Sequence, residues 1–424
     1  MFGWAVWHIT SSREGFGHKT SSIIISIASF PRLVKESFLS LGNPGTLVRS
    51  DIFPRISGLK VEKKYVDNNY ILLSTYDNQK KQSVVKLIRL YDQKVIHQWI
   101  PDYDEIIKLF EKKNDFLDDA NKHDLRIFHP LISPDGSIIF NNGQSPLIKI
   151  NKDSKIVWTL NGTFGHSLEY DADGNIWAQS VIEHSNFFQD ILKDFKDDAV
   201  AKISPNGKLL FQKSVAEILF QNNYKGLLLG GLYEPDLLHV NDVQPALTSA
   251  RYWMKGDLLI SIRHKSTVLL YRPSTNKVIW LKIGPWLNQH DVDFIDSTRI
   301  GVFGNDIIRN NSSGLEENAW LDNFLNGCNQ EYIYDFKTNE VATPYAELFK
   351  KAKIATFTEG RSDILSNGDI FVEETNNNRL LRGNKKDIIW QYVDRINDHA
   401  VAALSWSRFI TKEEFKKLTF LKNN

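Results

Sequence analysis

The sequence predicts an all-β fold, a six-bladed β-propeller with helical insertions and a short helical N-terminal extension, and three observations predict it. Short β-branched and aromatic runs such as Tyr70-Ile-Leu-Leu-Ser74, Ser137-Ile-Ile-Phe140, Leu258-Leu-Ile-Ser-Ile262 and Asp369-Ile-Phe-Val-Glu373 lie beside turn pairs, Asp135-Gly136, Asp173-Gly174, Gly256-Asp257 and Asn367-Gly368 among them. A longer unit also recurs, running from the turn through further strands to a Trp: it is clearest ending in Lys149 to Trp158, Tyr271 to Trp280 and Arg382 to Trp390, and weaker in Tyr91 to Trp99 and Lys202 to Phe211. Finally, 11 Trp, 14 Tyr and 25 Phe in 424 residues supply apolar surface for a large core and lean toward sheets.

Taken in order, residues 1–58 read as the helical extension. Ser21 to Leu41 carries apolar residues at mixed spacing, with Pro31 as a helix start. The apolar run Phe2 to Ile9 is too short to span a bilayer, which needs about 18–20 residues; Met1 leading straight into it is what the stub of a membrane anchor would leave. Residues 59–400 read as the propeller, with candidate blades beginning near Lys60, His129, His166, His239, His290 and Arg361. Amphipathic helical insertions are expected at Asp104 to Leu125, Phe187 to Phe195, Ser214 to Tyr224 and Tyr345 to Ala352. Residues 401–424 read as a helical tail, in which the Lys-Glu-Glu-Phe-Lys-Lys pattern is a solvated face.

Charge narrows the function classes. Lys+Arg 52 against Asp+Glu 51 leaves a formal net charge of +1, so no global field points to nucleic acid. Cys328 is the single cysteine, which excludes an internal disulfide and any cysteine-cluster metal site.

Aligning the units on their turns gives the chemical signal. An imidazole or guanidinium opens the first strand seven or eight residues before the turn: His129 before Gly136, His166 before Gly174, Arg361 before Gly368, and His290 before Ser297. His239 opens the corresponding strand of its own unit. First strands are innermost in a propeller, so side chains at one register in different blades converge on one channel mouth. Four of only 11 His fall at this register.

Imidazoles around an Arg suit a tetrahedral oxyanion, and one of them can be a nucleophile whose other nitrogen is held by a partner. A metal-dependent hydrolase, with three imidazoles and an oxygen on zinc or copper, is the alternative and ranks second for want of a positioned carboxylate. A non-catalytic propeller binding a sulfated or phosphorylated ligand, or a protein partner, is the rival from another class.

The residues then resemble a family. Gly165-His-Ser-Leu-Glu-Tyr-Asp-Ala-Asp-Gly-Asn175, His239-Val-Asn-Asp-Val243 with Ser261-Ile-Arg-His-Lys-Ser266, and Asn288-Gln-His-Asp-Val-Asp-Phe294 followed by Val302-Phe-Gly-Asn305 are similar to segments of the arylsulfate sulfotransferase (arylsulfotransferase) family. Arg361-Ser-Asp-Ile-Leu-Ser-Asn-Gly-Asp-Ile370, running to Trp390-Gln-Tyr392, resembles that family's last blade. The resemblance covers roughly His129 to Tyr392.

It implies an enzyme that moves a sulfuryl group from a small aryl sulfate donor to a phenolic acceptor through a sulfohistidine. By that resemblance neither a nucleotide sulfate nor another cofactor is expected to take part. By the same resemblance His290 matches the nucleophile, His166 and His239 the accompanying channel histidines, Asn241 the nearby amide and Arg263 the sulfate-binding arginine. The compartment it implies is periplasmic, with the N-terminus as a membrane attachment; the disulfide of the better-known members cannot form with one Cys.

His129 and Arg361 are suggested as substrate-binding residues by register alone; for His129 a turn role before Pro130 is weighed equally. His8, His18, His97, His123, His184, His264 and His399 share no register and read as surface or packing residues. Trp158, Trp280 and Trp390 read as packing between blades. Trp286, next to the His290 loop, is the candidate to stack on an aryl ring, with packing the preferred role.

Overall fold

A computed structural model describes residues 48–50, 53, 56–62, 65–109, 125–183, 185, 194–308 and 323–421. The expected turns form as the chemistry requires. Gly136 and Gly174 sit at φ +81°, a left-handed conformation open to glycine at no steric cost. The acidic residue before each closes an Asx turn: Asp135 Oδ1 accepts the Ser137 N–H and Asp171 Oδ1 the Asp173 N–H, both at 2.9 Å.

The resulting arrangement is all-β and propeller-like. Four sheets stand as separate blades. One is Tyr70–Asp77, Gln82–Arg89 and Lys94–Trp99, joined on its inner side by Arg408–Ile410 from the other end of the chain. The second is Val240–Pro245, Leu258–Ile262, Thr267–Arg272 and Lys277–Ile283. The third is Val292–Phe294, Arg299–Gly304, Gln330–Asp335 and Glu340–Ala342. The fourth is Arg361–Ile364, Ile370–Glu374, Arg379–Gly383 and Ile388–Val393, with Gly58–Val61 added outside.

The six blades expected from the sequence are thus corrected to four separate ones, and one strand is the physical reason the units expected near His129 and His166 do not stand as two more. Ile156–Tyr170 runs 15 residues without a break. Its first half pairs with Ser145–Ile150 and its second half with Ile176–Val181, so seven strands from Phe128–Ile132 to Leu209–Ser214 form one sheet. The Asn161-Gly162-Thr163 stretch, polar enough to read as a turn, stays extended. The unit expected near Lys60 also shifts: Gly58–Val61 pairs with Ile388–Val393 instead, and its sheet begins at Tyr70. A small sheet of Val48–Ser50, Ala400–Ala402 and Arg395–Asn397 lies at the seam between the chain's two ends.

Four tryptophans of outer strands tie one repeat to the next. The indole N–H of Trp99 donates to Gly136 C=O at 2.8 Å, that of Trp158 to Pro205 C=O at 3.0 Å, that of Trp280 to the Tyr334 hydroxyl at 3.2 Å, and that of Trp390 to Asp67 Oδ2 at 2.8 Å. Each satisfies its one polar atom in this way, so that Trp99 and Trp390 are fully buried without an unmet donor.

Helical content is low. Among the described residues there are five α-helices of four to seven residues: Tyr103–Leu109, Val215–Gln221, Lys225–Leu229, Ala346–Ala352 and Lys412–Phe415. The N-terminal extension up to residue 47, positions 110–124 of the first insertion and most of the second lie outside the described residues. No described helix is long and apolar enough to cross a membrane. Ser214 caps Val215–Gln221 by accepting the Glu217 N–H at 3.0 Å. That helix buries Val215, Ala216, Ile218 and Leu219, and from there the chain passes through Lys225–Leu229 to Asp236 and His239.

Candidate functional site

Three inner strands present their histidines by the same local device. His129, His166 and His239 all have a left-handed backbone, φ +44°, +44° and +52°. This costs a residue with a Cβ about 1–2 kcal/mol, though histidine visits it more readily than most. Each lies at or beside a slip in the ladder: between Phe128 and Leu131, opposite Ala178 and Gln179, and between Val240 and Asp242. A bulge of this kind re-aims the side chain away from the regular pleat. His290 arrives without positive φ; its N–H bonds Phe303 C=O at 3.1 Å, continuing the ladder past Val292–Phe294.

The structure brings His166, His239 and His290 together. Ring centroids of His166 and His239 are 5.2 Å apart, and those of His166 and His290 6.2 Å. Arg263, at the end of Leu258–Ile262, donates from Nη1 to His264 Nε2 at 2.9 Å. His264 stacks obliquely on His239 at 4.6 Å, so this histidine, read from the sequence as packing, belongs to the cluster.

Hydrogen bonds fix the tautomers. Asn305 spends its amide N–H groups on Thr356 C=O and Glu359 C=O, both at 2.9 Å, so its Oδ1 accepts from His290 Nδ1–H at 2.5 Å. The lone pair of His290 is therefore on Nε2, where it takes the Glu359 N–H at 3.0 Å. Glu359 itself is clamped by Arg126 through both carboxylate oxygens, at 2.9 and 2.6 Å. His264 donates from Nδ1 to Asp236 C=O at 2.6 Å and accepts from Arg263 at Nε2. His239 faces Asp236 Oδ2 through Nδ1 at 2.5 Å, and its Nε2 has no hydrogen bond among the described residues.

Electrostatics keep His290, His166 and His264 uncharged. Burial, then the charge of Arg263 and the neighbouring His166, holds His290 well below the usual imidazole range. Burial followed by His239 and Lys196 does the same for His166, and burial brings His264 down to about 4. Asp236 moves the other way from a buried carboxylate: burial would raise it, but the hydrogen bond and charge of His239, with Lys196, hold it well below the ordinary range. Uncharged imidazoles beside a fixed guanidinium can receive a tetrahedral oxyanion, and one of them can act as a nucleophile.

His129 and Arg361 stay outside this cluster. His129 accepts the Leu168 N–H at Nδ1, 2.9 Å, packs edge-on against Trp406 at 4.6 Å and is 1% exposed. Arg361 donates to Asp363 at 2.7 Å and approaches His129 Nε2 at 3.2 Å. Asn241 is fully buried, its amide N–H given to Gln289 C=O at 3.1 Å, so it holds the His290 loop. Trp286 has no exposed surface and packs near Tyr332 at 6.1 Å, which leaves it unable to stack on a substrate. Between the third and fourth blades, Asp291, Asp293, Glu331 and Asp363 line a cavity of about 140 Å³.

Asp236, His239 and His264 also bring possible metal-ligand atoms within 4.8 Å of one another. The carboxylate expected to be missing is thus present, but its surroundings suit an anion better than a cation. Lys196 Nζ stands 3.3 Å from Asp236 Oδ1, and Arg263 occupies His264 Nε2. A divalent ion would meet two fixed positive charges within a few ångströms, against which Coulomb repulsion weighs directly. Sequence reasoning missed Asp236, His264 and Lys196, because none sits at the repeated register; Asn305 was within a quoted motif without a role.

The sequence profile of the arylsulfotransferase (ASST) family matches residues 129–395. No curated protein is matched. Among solved structures, a Bacteroides caccae protein of unknown function is 11% identical, covering 81% of this chain and 99% of its own, with a TM-score of 0.48. Kuenenia stuttgartiensis hydrazine synthase is 11% identical over 76% of this chain and 79% of its own, with a TM-score of 0.43. A Staphylococcus aureus virginiamycin B lyase is 10% identical over 83% and 90%, with a TM-score of 0.38.

Proposed function

The chain belongs to the arylsulfotransferase family, and from that premise we propose that it transfers a sulfuryl group from an aryl sulfate to a phenol through a sulfohistidine at His290. The supporting observation is the meeting of three imidazoles, His166 within 5.2 Å of His239 and 6.2 Å of His290 by ring centroid, beside Arg263. In this reading residues 59–400 are the catalytic body, and the N-terminus attaches it to a membrane on the periplasmic side.

The Nε2 lone pair of His290 attacks sulfur as the donor enters and takes the place of the Glu359 N–H. The N–S bond forms, the S–O bond to the aryl group breaks, and its electron pair stays on the phenolic oxygen. That oxygen takes a proton from the Nε2 of protonated His239, so the first phenol leaves neutral. Asn305 accepts from His290 Nδ1–H throughout and supports the positive charge the ring gains on sulfation. Arg263 lies across two sulfuryl oxygens in a fork, and His166 donates to the third. A second phenol then reverses the steps, giving its proton to His239 as its oxygen attacks sulfur and the N–S bond breaks.

Mass spectrometry after brief incubation with a chromogenic aryl sulfate tests this. A sulfuryl adduct on His290 is expected, with release of the first phenol in a burst and steady turnover only when an acceptor phenol is added. His290→Asn should abolish adduct and turnover, by at least about 10³-fold, with unchanged thermal unfolding. An adduct elsewhere, or none while the donor still binds, overturns the nucleophile assignment; binding without any adduct is what a non-catalytic ligand-binding propeller would give.

A further inference from the structure

We propose that Asp236 is a positioning residue of the reaction: it fixes the tautomer and orientation of His239 so that Nε2 serves the phenolic oxygen as acid and then base. This rests on the sulfuryl-transfer reading above and adds to it a residue that neither the repeat register nor any of the matched motifs contains. Three independent contacts hold Asp236. Its Oδ2 is 2.5 Å from His239 Nδ1, its Oδ1 is 3.3 Å from Lys196 Nζ, and its backbone C=O accepts His264 Nδ1–H at 2.6 Å.

Lys196 is held in turn. It lies 3.2 Å from Asp198, whose Oδ1 also accepts from Gln179 at 3.0 Å. Asp198 Oδ2 accepts the Val240 N–H at 3.0 Å, the backbone group directly after His239. Asp198, Lys196, Asp236 and His239 therefore form a closed loop of charged contacts that returns to the strand it started from, and it spans the seam between two sheets. Lys196 neutralises one oxygen of Asp236 and leaves the other to the imidazole.

The chemistry of that arrangement is determinate. An ionised carboxylate only accepts, so the Nδ1 facing it bears the proton and Nε2 is left as the working nitrogen. When His239 is doubly protonated, Asp236 stands 2.5 Å from the imidazolium and stabilises it. When His239 gives its Nε2 proton to the departing phenolate, the Nδ1–H remains on Asp236 and the ring does not turn. The balance is one proton moved from Nε2 to oxygen, and one moved back from the acceptor phenol. His239 is partly exposed, 21% at the side chain, whereas His290 is 1% exposed, so it is the ring that an incoming phenol can meet.

The test is Asp236→Asn together with Asp236→Glu, measured over a series of aryl sulfates whose phenols differ in acidity. An amide can donate to Nδ1 and put the proton on the wrong nitrogen. Turnover should fall by about 10²–10⁴-fold, most for weakly acidic phenols that need a proton to leave and little for nitrophenols. The slope of log rate against phenol pKa should steepen accordingly, and the sulfuryl adduct should still form on His290 with the nitrophenyl donor. Asp236→Glu should recover part of the rate and the shallower slope.

An equal loss for every leaving group in both variants would mean a structural role and overturn the proposal, as would a wild-type rate in Asp236→Asn. Failure of the wild-type protein itself to form an adduct is a different result, and would remove the sulfuryl-transfer reading on which the proposal stands.

Discussion

At the scale of single residues, the proposed reaction separates groups that would hold the substrate from groups that hold each other. In that reaction Arg263 is of the first kind: a guanidinium beside His290 and His166, which burial and the charge of Arg263 itself hold uncharged. Its replacement by Ala should raise the donor KM about ten- to hundredfold, the worth of one or two charge-assisted hydrogen bonds at about 1.4 kcal/mol per tenfold. Steady-state kinetics on a nitrophenyl sulfate read this, and an unchanged KM would count against the assignment. His166, His239 and His290 were legible in the sequence through their shared register and Arg263 through the family resemblance, whereas His129 and Arg361 share that register and lie outside the cluster. Asp236 was not legible, since its three-residue offset from His239 has meaning only once the loop after Lys225–Leu229 is seen to fold back beneath the ring.

At the scale of elements, Arg408–Ile410 closes the ring. It pairs with Tyr70–Leu72, and Arg408 reaches across the inner strands to donate to Pro130 C=O at 2.9 Å and Leu168 C=O at 2.5 Å, and to Glu169 at 3.1 Å. The side chain is 12% exposed, so these bonds are little screened. Arg408→Ala leaves Glu169 without this partner, and should destabilise the fold by about 3 kcal/mol, seen as a lower midpoint in urea. A loss below about 1 kcal/mol would mean the pair is as weak as a surface one. Strand existence was readable from turn pairs and apolar runs, and so were the tryptophans of four outer strands, Trp99, Trp158, Trp280 and Trp390. The sharing of Ile156–Tyr170 between two repeats was hidden because Asn161-Gly162-Thr163 has the composition of a loop; long-range pairing, not local preference, keeps it extended.

For the whole molecule, several carboxylates are buried close enough to act on one another. Burial, with Asp363 and Glu169 close by, pushes Asp291 up to about 7 although Arg361 pulls it down. Burial, then Asp291 and Asp363, brings Glu331 to about 8 despite its bond from Ser362. Burial and Asp291 also raise Asp242 and Asp293. Groups whose pKa rises on folding stabilise the fold at low pH and lose that contribution as pH climbs through the folded value. Buried histidines have the opposite sign, but above their ordinary 6.5 they are neutral whether folded or not. Between pH 6.5 and about 8, then, the carboxylates decide the trend, and the thermal midpoint should fall by several degrees. Glu331→Gln, which keeps an acceptor for Ser362, should flatten that fall; differential scanning fluorimetry across the window checks both, and a midpoint that rises with pH would refute the assignment.

The shared strand Ile156–Tyr170 has one more consequence. Wherever two sheets meet only through side chains, they can rock by letting those side chains slide; where a single backbone belongs to both, they cannot. His166 sits on that welded seam, so it is the stationary point of the entrance, and any dilation that admits a bulky aromatic guest has to come from the opposite wall.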